Sequence, residues 1–268
     1  MSREATARVE YFAAEYSRAM FTAADAYDRF MGRYSTQLAP QFADVAGVEE
    51  GQRVLDVGCG TGMLTAECLR RGATVAAVDP SEPFVATVAE RHPGVDVRCG
   101  VAEQLPFSDG EFDAALAQLV VHFMREPVTA LREMRRVTRP GGVVAACVWD
   151  HAGGQAPVSA FWHAVREVDP EAEDESQLAG ARQGHLRELL TQAGLVEVEE
   201  AALPIRVEHP SFDDWWEPFT LGVGPAGAYF ATLDPERQTQ VRDVCRAALS
   251  PGKPVIQAHA WVARGRGT

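Results

Sequence analysis

The sequence predicts an α/β protein with a Rossmann-like, doubly wound and mostly parallel seven-stranded sheet. From about Arg53 to Trp149, short apolar runs alternate with stretches of helical periodicity. That alternation is typical of a parallel sheet covered by helices on both faces. Two more apolar runs, at 195–207 and 255–263, supply the last strands. A helical N-terminal segment precedes this core, and a helical insertion follows the fifth strand.

The core elements can be placed one by one. Strands are predicted at 54–57, 74–78, 95–99, 112–119 and 143–148, and helices at 61–71, 82–91 and 127–137. Ser81 is placed to cap the second of these helices, with Pro83 in its first turn. The third helix shows apolar residues at helical spacing. Pro140-Gly141-Gly142 predicts a break before the fifth strand.

Composition excludes several classes of protein. The 268 residues carry a net charge of −13 and no basic run, so neither nucleic acid nor an anionic membrane is an expected partner. Five scattered cysteines without a C-x-x-C pair argue against a disulfide framework and a zinc site. The N-terminus is acidic and lacks a signal-peptide pattern, and no apolar run is long enough to cross a membrane. A cytoplasmic protein is expected.

A glycine-rich turn follows the first strand. Gly58, Gly60 and Gly62 stand at alternate positions, where the chain turns tightly and lets a ligand approach the backbone. A dinucleotide site needs G-x-G-x-x-G, but Met63 stands at the third glycine position. Asp56 precedes the glycines, and its negative charge disfavours pyrophosphate and favours a cationic ligand.

Asp79 ends the second strand. A carboxylate there can accept protons from both hydroxyls of a ribose. The alternative is that Asp79 caps the helix that follows.

Residues 53–149 resemble the class I S-adenosylmethionine-dependent methyltransferases, and most closely the small-molecule branch related to ubiquinone and menaquinone biosynthesis. Four stretches carry the resemblance, at 54–62, 78–81, 102–107 with 112–113, and 136–142. Their order and spacing are typical of the family. The resemblance implies S-adenosylmethionine as cofactor, S-adenosylhomocysteine as product, and no metal.

The resemblance also implies cofactor-binding roles for individual residues. Asp56 and the backbone of Gly58, Cys59, Gly60 and Gly62 would hold the methionine end. Asp79 would hold the ribose, and Pro80 would pack near the adenine, whose edge would meet the backbone of Ala102 and Glu103. Gln118 would lie near the methionine moiety. In the segment 27–34, which resembles one that closes over the cofactor, Tyr27 could stack or hydrogen-bond and Arg33 could pair with the carboxylate; the alternative for Arg33 is a surface cation.

The sequence departs from the family at Val101, where an acid often accepts from the adenine amino group. The adenine contact is therefore expected from backbone atoms, an apolar wall or Glu103. His122, just after the fourth strand, is the candidate general base, and the alternative is a packing residue beside the cofactor. His151 directly follows the fifth strand and is a second candidate base for the same reason.

The chain divides, by prediction, into N-terminal helices at 1–50, a cofactor-binding core at 51–150 and a cap with the last strands at 151–268. The cap is expected to enclose a small-molecule acceptor, because it is rich in aromatic residues. Trp215 and Trp216 are adjacent, so one is expected to face a cavity, a lid or the partner in a homodimer. A non-catalytic cofactor-binding protein and, less favoured, a nicotinamide-dependent reductase are the alternative functions.

Overall fold

Seven strands form the centre of the molecule in the computed structural model, which describes residues 24–249 and 252–268. The part of the predicted N-terminal segment at 1–23 lies outside the described residues. The strands are β1 Arg53–Val57, β2 Thr74–Asp79, β3 Asp96–Cys99, β4 Phe112–Gln118, β5 Thr138–Trp149, β6 Val196–Glu208 and β7 Val255–Arg266. Their order is β3-β2-β1-β4-β5-β7-β6. β7 lies between β5 and β6 and runs antiparallel to both, while the other neighbouring pairs are parallel. The predicted fold class is confirmed.

Helices cover both faces of the sheet. In chain order they are α1 Ala24–Tyr27, a π-helical turn Asp28–Gly32, α2 Arg33–Ala46, α3 Met63–Arg70, α4 Glu82–Arg91, α5 Pro127–Val137, α6 Ser159–Val168, α7 His185–Gln192, α8 Phe212–Trp216, α9 Gly224–Thr232 and α10 Pro235–Ala248. Short 3-10 turns lie at Val121–Phe123, Glu175–Gln177 and Glu217–Leu221. Among the described residues, no helix combines the length and apolar character that crossing a membrane requires.

The central strands β1, β2 and β4 are apolar on both faces because each face of the sheet packs on helices. Val54 joins one buried cluster with Phe42 of α2, and the next residue, Leu55, joins a second cluster with Met134 of α5 on the opposite face. Successive strand residues point to opposite sides of a sheet. This double burial explains the continuous apolar runs in the sequence.

Two local predictions need correction. Pro140-Gly141-Gly142 interrupts the pairing of β5 with β4, whose register shifts between Thr138 and Val143, but β5 itself begins at Thr138 and continues through these residues. The N–H of Gly141 donates to the Gly267 carbonyl at 2.8 Å, so the end of the chain supplies the pairing there. Ser81 stands at the N-cap of α4, but its hydroxyl does not cap the helix.

The order of strands reverses between β1 and β4. In open α/β sheets, ligands bind at such a switch point, outside the carboxyl ends of the strands. The loops that follow β1, β2, β4 and β5 therefore surround the expected site.

Candidate active site

The glycine-rich loop follows β1 and is fixed to the end of β2. The N–H groups of Gly58 and Cys59 donate to the Val78 carbonyl at 2.8 and 3.1 Å. Gly58 has φ +71°, and a Cβ there would lie 2.4 Å from Val120 Cγ2. Only glycine fits that position without displacing Val120. The loop is thus held close to the sheet with its backbone accessible.

Asp79 accepts hydrogen bonds at both carboxylate oxygens. The Gly60 N–H donates to Oδ2 and the Ser81 N–H to Oδ1, each at 2.9 Å. These bonds join the glycine loop to Ser81, the N-cap residue of α4. Asp79 thus holds the residue before the helix, and neither bond reaches an N–H inside the helix, as a helix cap would. Each carboxylate oxygen has a second lone pair, so the same side chain still has acceptor capacity for two hydroxyls. Burial raises the pKa of Asp79 to about 6.

Asp56 is almost fully buried at the end of β1. The Thr65 hydroxyl donates to its Oδ2 at 2.7 Å. Burial raises the pKa of Asp56 to about 7, against the opposing effect of that hydrogen bond. Close to it, the side-chain oxygen of Gln118 is buried without a hydrogen-bond partner among the described residues. Buried oxygens are normally paired, so an external donor such as an ammonium group fits this position.

Asp56, Gln118, Gly58 and Gly60 line one cavity, which we call the glycine-loop cavity. Its other lining residues are Tyr27, Ser35, Cys59, Thr61, Met63 and Leu64. None of these described lining residues is Lys or Arg. A cavity that contains a carboxylate and no cation favours a positively charged ligand over a pyrophosphate.

The N-terminal helical segment closes over this cavity. Asp28 in the π-helical turn accepts a hydrogen bond from the Thr61 hydroxyl at 2.5 Å and forms an ion pair with Arg91 at 2.8 Å. Tyr27, one residue earlier, packs its ring against Phe84 with centroids 5.4 Å apart. Loss of solvation, together with the nearby negative charges of Asp79 and Asp28, raises the pKa of Tyr27.

The residues expected around the adenine are not among those that line the glycine-loop cavity. Pro80 is exposed after β2, and Val101 is 48% exposed. Ala102 packs against the buried cluster that contains Leu55 and Met134. The Glu103 carboxylate accepts from the backbone N–H of Arg125 at 2.9 Å and from that of Glu126 at 3.3 Å, and so holds the chain just before α5.

Arg33 does not lie in the glycine-loop cavity. Its guanidinium Nη1 is 2.6 Å from Asp214 Oδ2 and 2.8 Å from His209 Nδ1. The next residue, Tyr34, has its hydroxyl 3.0 Å from His209 Nε2. Arg33 thus ties α2 to the start of α8, and its charge is balanced by Asp214. This arrangement fits neither the carboxylate-binding role nor the free surface cation expected from the sequence.

A second cavity lies beside the first and shares Tyr27 with it. We call it the aromatic cavity; it contains about 460 Å³ of space between atoms, part of it open to solvent. Apolar and aromatic side chains form most of its wall, among them Phe30, Met31, Phe123, Trp149 and Pro225. The polar side chains of His122, His151 and Glu175 complete the wall.

His122 and His151, both singled out from the sequence, meet at this cavity. Their ring centroids are 5.8 Å apart. Burial lowers the pKa of His122 well below its ordinary value, and His151 adds to the effect. Burial also lowers the pKa of His151. Both shifts favour the neutral form of the imidazole.

Glu175 was missed as a site residue. The acidic run at 171–175 predicts a solvated loop or a helix start, yet Glu175 is only 6% exposed and begins a 3-10 turn. The Trp162 indole N–H donates to Glu175 Oε2 at 2.7 Å. No local pattern marks one glutamate of an acidic run as buried, because the burial comes from Trp162 on α6.

Trp215 and Trp216 belong to the core of the cap. They are 2% and 5% exposed, and neither lines the aromatic cavity. Trp216 packs edge-on against Phe230, and Trp215 lies 4.9 Å from Phe219, centroid to centroid. The dimer-interface alternative for this pair is wrong, since neither ring reaches the surface. Trp215 does border a small cavity beside Arg33, away from the aromatic cavity.

Comparison with known proteins matches the core of the chain. Residues 55–146, less than half of the chain, match a family model described as a methyltransferase domain. A demethylmenaquinone methyltransferase of Renibacterium salmoninarum is 39% identical over 108 residues, which cover 40% of this chain and 46% of the relative. The chain spans less than half the length of the first curated relatives that it matches.

Two further relatives extend over most of the chain. An uncharacterized protein of Mycobacterium tuberculosis is 28% identical over 236 residues, with 80% of this chain and 82% of the relative covered. A solved structure described as an S-adenosylmethionine-dependent methyltransferase of Thermotoga maritima superposes with a TM-score of 0.54 at 20% identity. That match covers 97% of this chain and 99% of the other. The resemblance to class I S-adenosylmethionine-dependent methyltransferases is confirmed.

Proposed function

We propose that this protein, whose residues 55–146 form a methyltransferase domain, transfers a methyl group from S-adenosylmethionine to a small-molecule acceptor. One observation carries the proposal: the glycine-loop cavity and the aromatic cavity adjoin at Tyr27. A methyltransferase needs two such sites side by side, because the acceptor must approach the methyl in line.

The residues of the glycine-loop cavity fit the cofactor. Asp56 and the unpaired oxygen of Gln118 would hold the ammonium group, and Asp79 would hold the ribose. When bound, S-adenosylmethionine supplies an electrophilic methyl group on a sulfonium. Asp28 and Tyr27 close the N-terminal segment over the site and help to exclude water.

The aromatic cavity supports an acceptor that is flat or apolar. Its wall offers aromatic rings for stacking and few polar groups, an environment that suits a small molecule better than a nucleic acid. Demethylmenaquinone, which gives the demethylmenaquinone methyltransferases similar to this chain their name, is of this chemical class. Those matches cover little more than the cofactor-binding core, so the acceptor class rests on the lining of the cavity.

His122 stays the candidate base for a hydroxyl or amine acceptor. Its Nδ1 is buried in the wall of the cavity without a partner among the described residues, and so is free to accept a proton. A positioned base contributes about a hundred- to ten-thousandfold to the rate. Full turnover by His122→Ala at saturating substrates would reduce His122 to a packing residue.

The experiment is a transfer assay with methyl-labelled S-adenosylmethionine and a panel of aromatic alcohols, amines and hydroquinones. Label that leaves the cofactor for one of these acceptors supports the proposal. The alternative of a non-catalytic binding protein predicts cofactor binding, no transfer, and no aromatic ligand in the second cavity. Ligand-observed NMR on the same panel measures that last property directly.

A further inference from the structure

Three side chains from three separate loops meet in the wall of the aromatic cavity. His122 follows β4, His151 follows β5, and Glu175 begins the 3-10 turn after α6. One ligand atom from each lies within 4.8 Å of the others. These residues stand more than twenty positions apart in the chain, so no spacing motif marks them.

Two nitrogens of this cluster lack partners. His122 Nδ1 and His151 Nε2 are buried without a hydrogen bond among the described residues. The His122 residue is 7% exposed and the His151 side chain 4%. A buried polar atom left unpaired is unfavourable, so such atoms normally meet a partner.

The cluster also lacks a cation. The Glu175 carboxylate is buried, and its partner is the neutral Trp162 N–H. Within 4 Å of it the described residues offer no Lys or Arg, only the His151 Nδ1 at 3.9 Å. A buried carboxylate is unfavourable unless it is paired or coordinates a metal.

We propose that His122, His151 and Glu175 bind a divalent transition metal, with Zn²⁺ as the first choice. Two imidazole nitrogens and one carboxylate oxygen are a ligand set for Zn²⁺, Co²⁺ or Fe²⁺, whereas Mg²⁺ and Ca²⁺ prefer oxygen ligands. The hydrogen bond from the Trp162 N–H orients the Glu175 carboxylate, as hydrogen-bond partners of metal ligands commonly do. Ligand bonds of about 2.1 Å require the three side chains to draw together by about an ångström.

Three protein ligands leave a coordination position for a further ligand. The cluster lines the aromatic cavity, so an acceptor's hydroxyl or carbonyl oxygen would bind there; this step rests on the proposed function. The metal would then lower the pKa of the acceptor hydroxyl, and His122 would act as a ligand rather than as the base. A loss of turnover in His122→Ala fits both roles, and only metal binding distinguishes them.

The test is metal binding by the full chain without cofactor or acceptor, so its outcome does not depend on methyl transfer. Chelator-treated protein is titrated with Zn²⁺ by calorimetry and with Co²⁺ by visible absorption. We expect one ion per chain. His122→Ala, His151→Ala and the isosteric Glu175→Gln should each weaken binding by more than about a hundredfold, beyond the effect of losing an outer partner such as Trp162.

His163→Ala is the matched control, because His163 pairs with Glu167 on the exposed face of α6 at 3.2 Å. It should bind the ion as the parent does. Circular dichroism verifies that each variant is folded. If an alanine variant does not fold, Glu175→Gln still gives the test, because the glutamine can keep the hydrogen bond from the Trp162 N–H. The inference is overturned if the parent binds no stoichiometric ion, or if folded Glu175→Gln binds it with unchanged affinity.

Discussion

At the scale of one residue, Asp56 shows that a group suited to binding a ligand can destabilise the ligand-free protein. Its carboxylate is 1% exposed, and its pKa is raised from the ordinary 3.8 to about 7. Above that pH the folded protein must hold a buried charge that the unfolded chain keeps in water. A cationic ligand would offset this cost. The buried carboxylate is therefore favourable only in the complex.

We therefore expect Asp56→Asn to stabilise the ligand-free protein at pH 8 while it weakens cofactor binding. The parent's folded state binds the proton more tightly than the unfolded state, so the parent loses stability as pH rises from about 4 to 7. The advantage of the variant should be small at pH 4 and reach a few kcal/mol above pH 7. Urea unfolding across this range measures it; an advantage that does not depend on pH contradicts the explanation.

Asp79 is the second residue whose role can be measured. Asp79→Ala removes an acceptor for the ribose hydroxyls, and the loss of a hydrogen bond to a charged group is worth about 1.5–3 kcal/mol. Cofactor affinity should fall by roughly ten- to a hundredfold. Glu82→Ala, an exposed change in the same helix start, serves as the control. Equal affinities of parent and Asp79→Ala would limit Asp79 to holding the glycine loop and Ser81.

At the scale of elements, the glycine loop depends on one close contact. Gly58 and Gly60 both have positive φ, but a Cβ at Gly58 meets Val120 Cγ2 at 2.4 Å, whereas one at Gly60 meets nothing closer than 3.8 Å. The two positions share backbone strain and differ in the space around them. Comparing an alanine at the two positions therefore separates the cost of the steric clash from the cost of the positive φ.

Gly58→Ala should therefore lower the free energy of unfolding by about 1–3 kcal/mol more than Gly60→Ala does. The added Val120→Ala change should recover part of that loss, because it removes the clashing methyl groups. Denaturant unfolding of the parent, Gly58→Ala, Val120→Ala and the double variant forms a double-mutant cycle. A zero interaction energy between positions 58 and 120 would show that the contact does not limit the loop.

The N-terminal segment is the second element with a testable task. Asp28 joins the π-helical turn to Thr61 in the glycine loop and to Arg91 in α4. Asp28→Ala should speed cofactor dissociation several-fold, since two charge-assisted contacts that close the site are lost. Asp25→Ala, at an exposed position three residues earlier, should leave the rate unchanged. Stopped-flow measurement of dissociation compares the two; equal rates would refute the closing role.

At the scale of the whole molecule, local pattern predicts the sheet, the glycine loop after β1 and the place of Asp79 at the end of β2. Runs such as 54–57 and the glycines that follow are continuous in sequence, so the strand, the turn and Asp79 can be placed without coordinates. The wall of the aromatic cavity and the position of Arg33 depend instead on tertiary contacts. Glu175 is buried by Trp162, and Arg33 is held by Asp214, a residue far along the chain. No periodicity carries that information.

Cofactor binding is the claim on which the rest of the account depends. Isothermal titration calorimetry of the parent with S-adenosylmethionine, S-adenosylhomocysteine and NADH tests it most directly. We expect one molecule of either sulfur compound per chain and no binding of NADH, because the glycine-loop cavity contains Asp56 and its described lining includes no cation. Tight binding of NADH, with no heat from S-adenosylmethionine, would contradict the account.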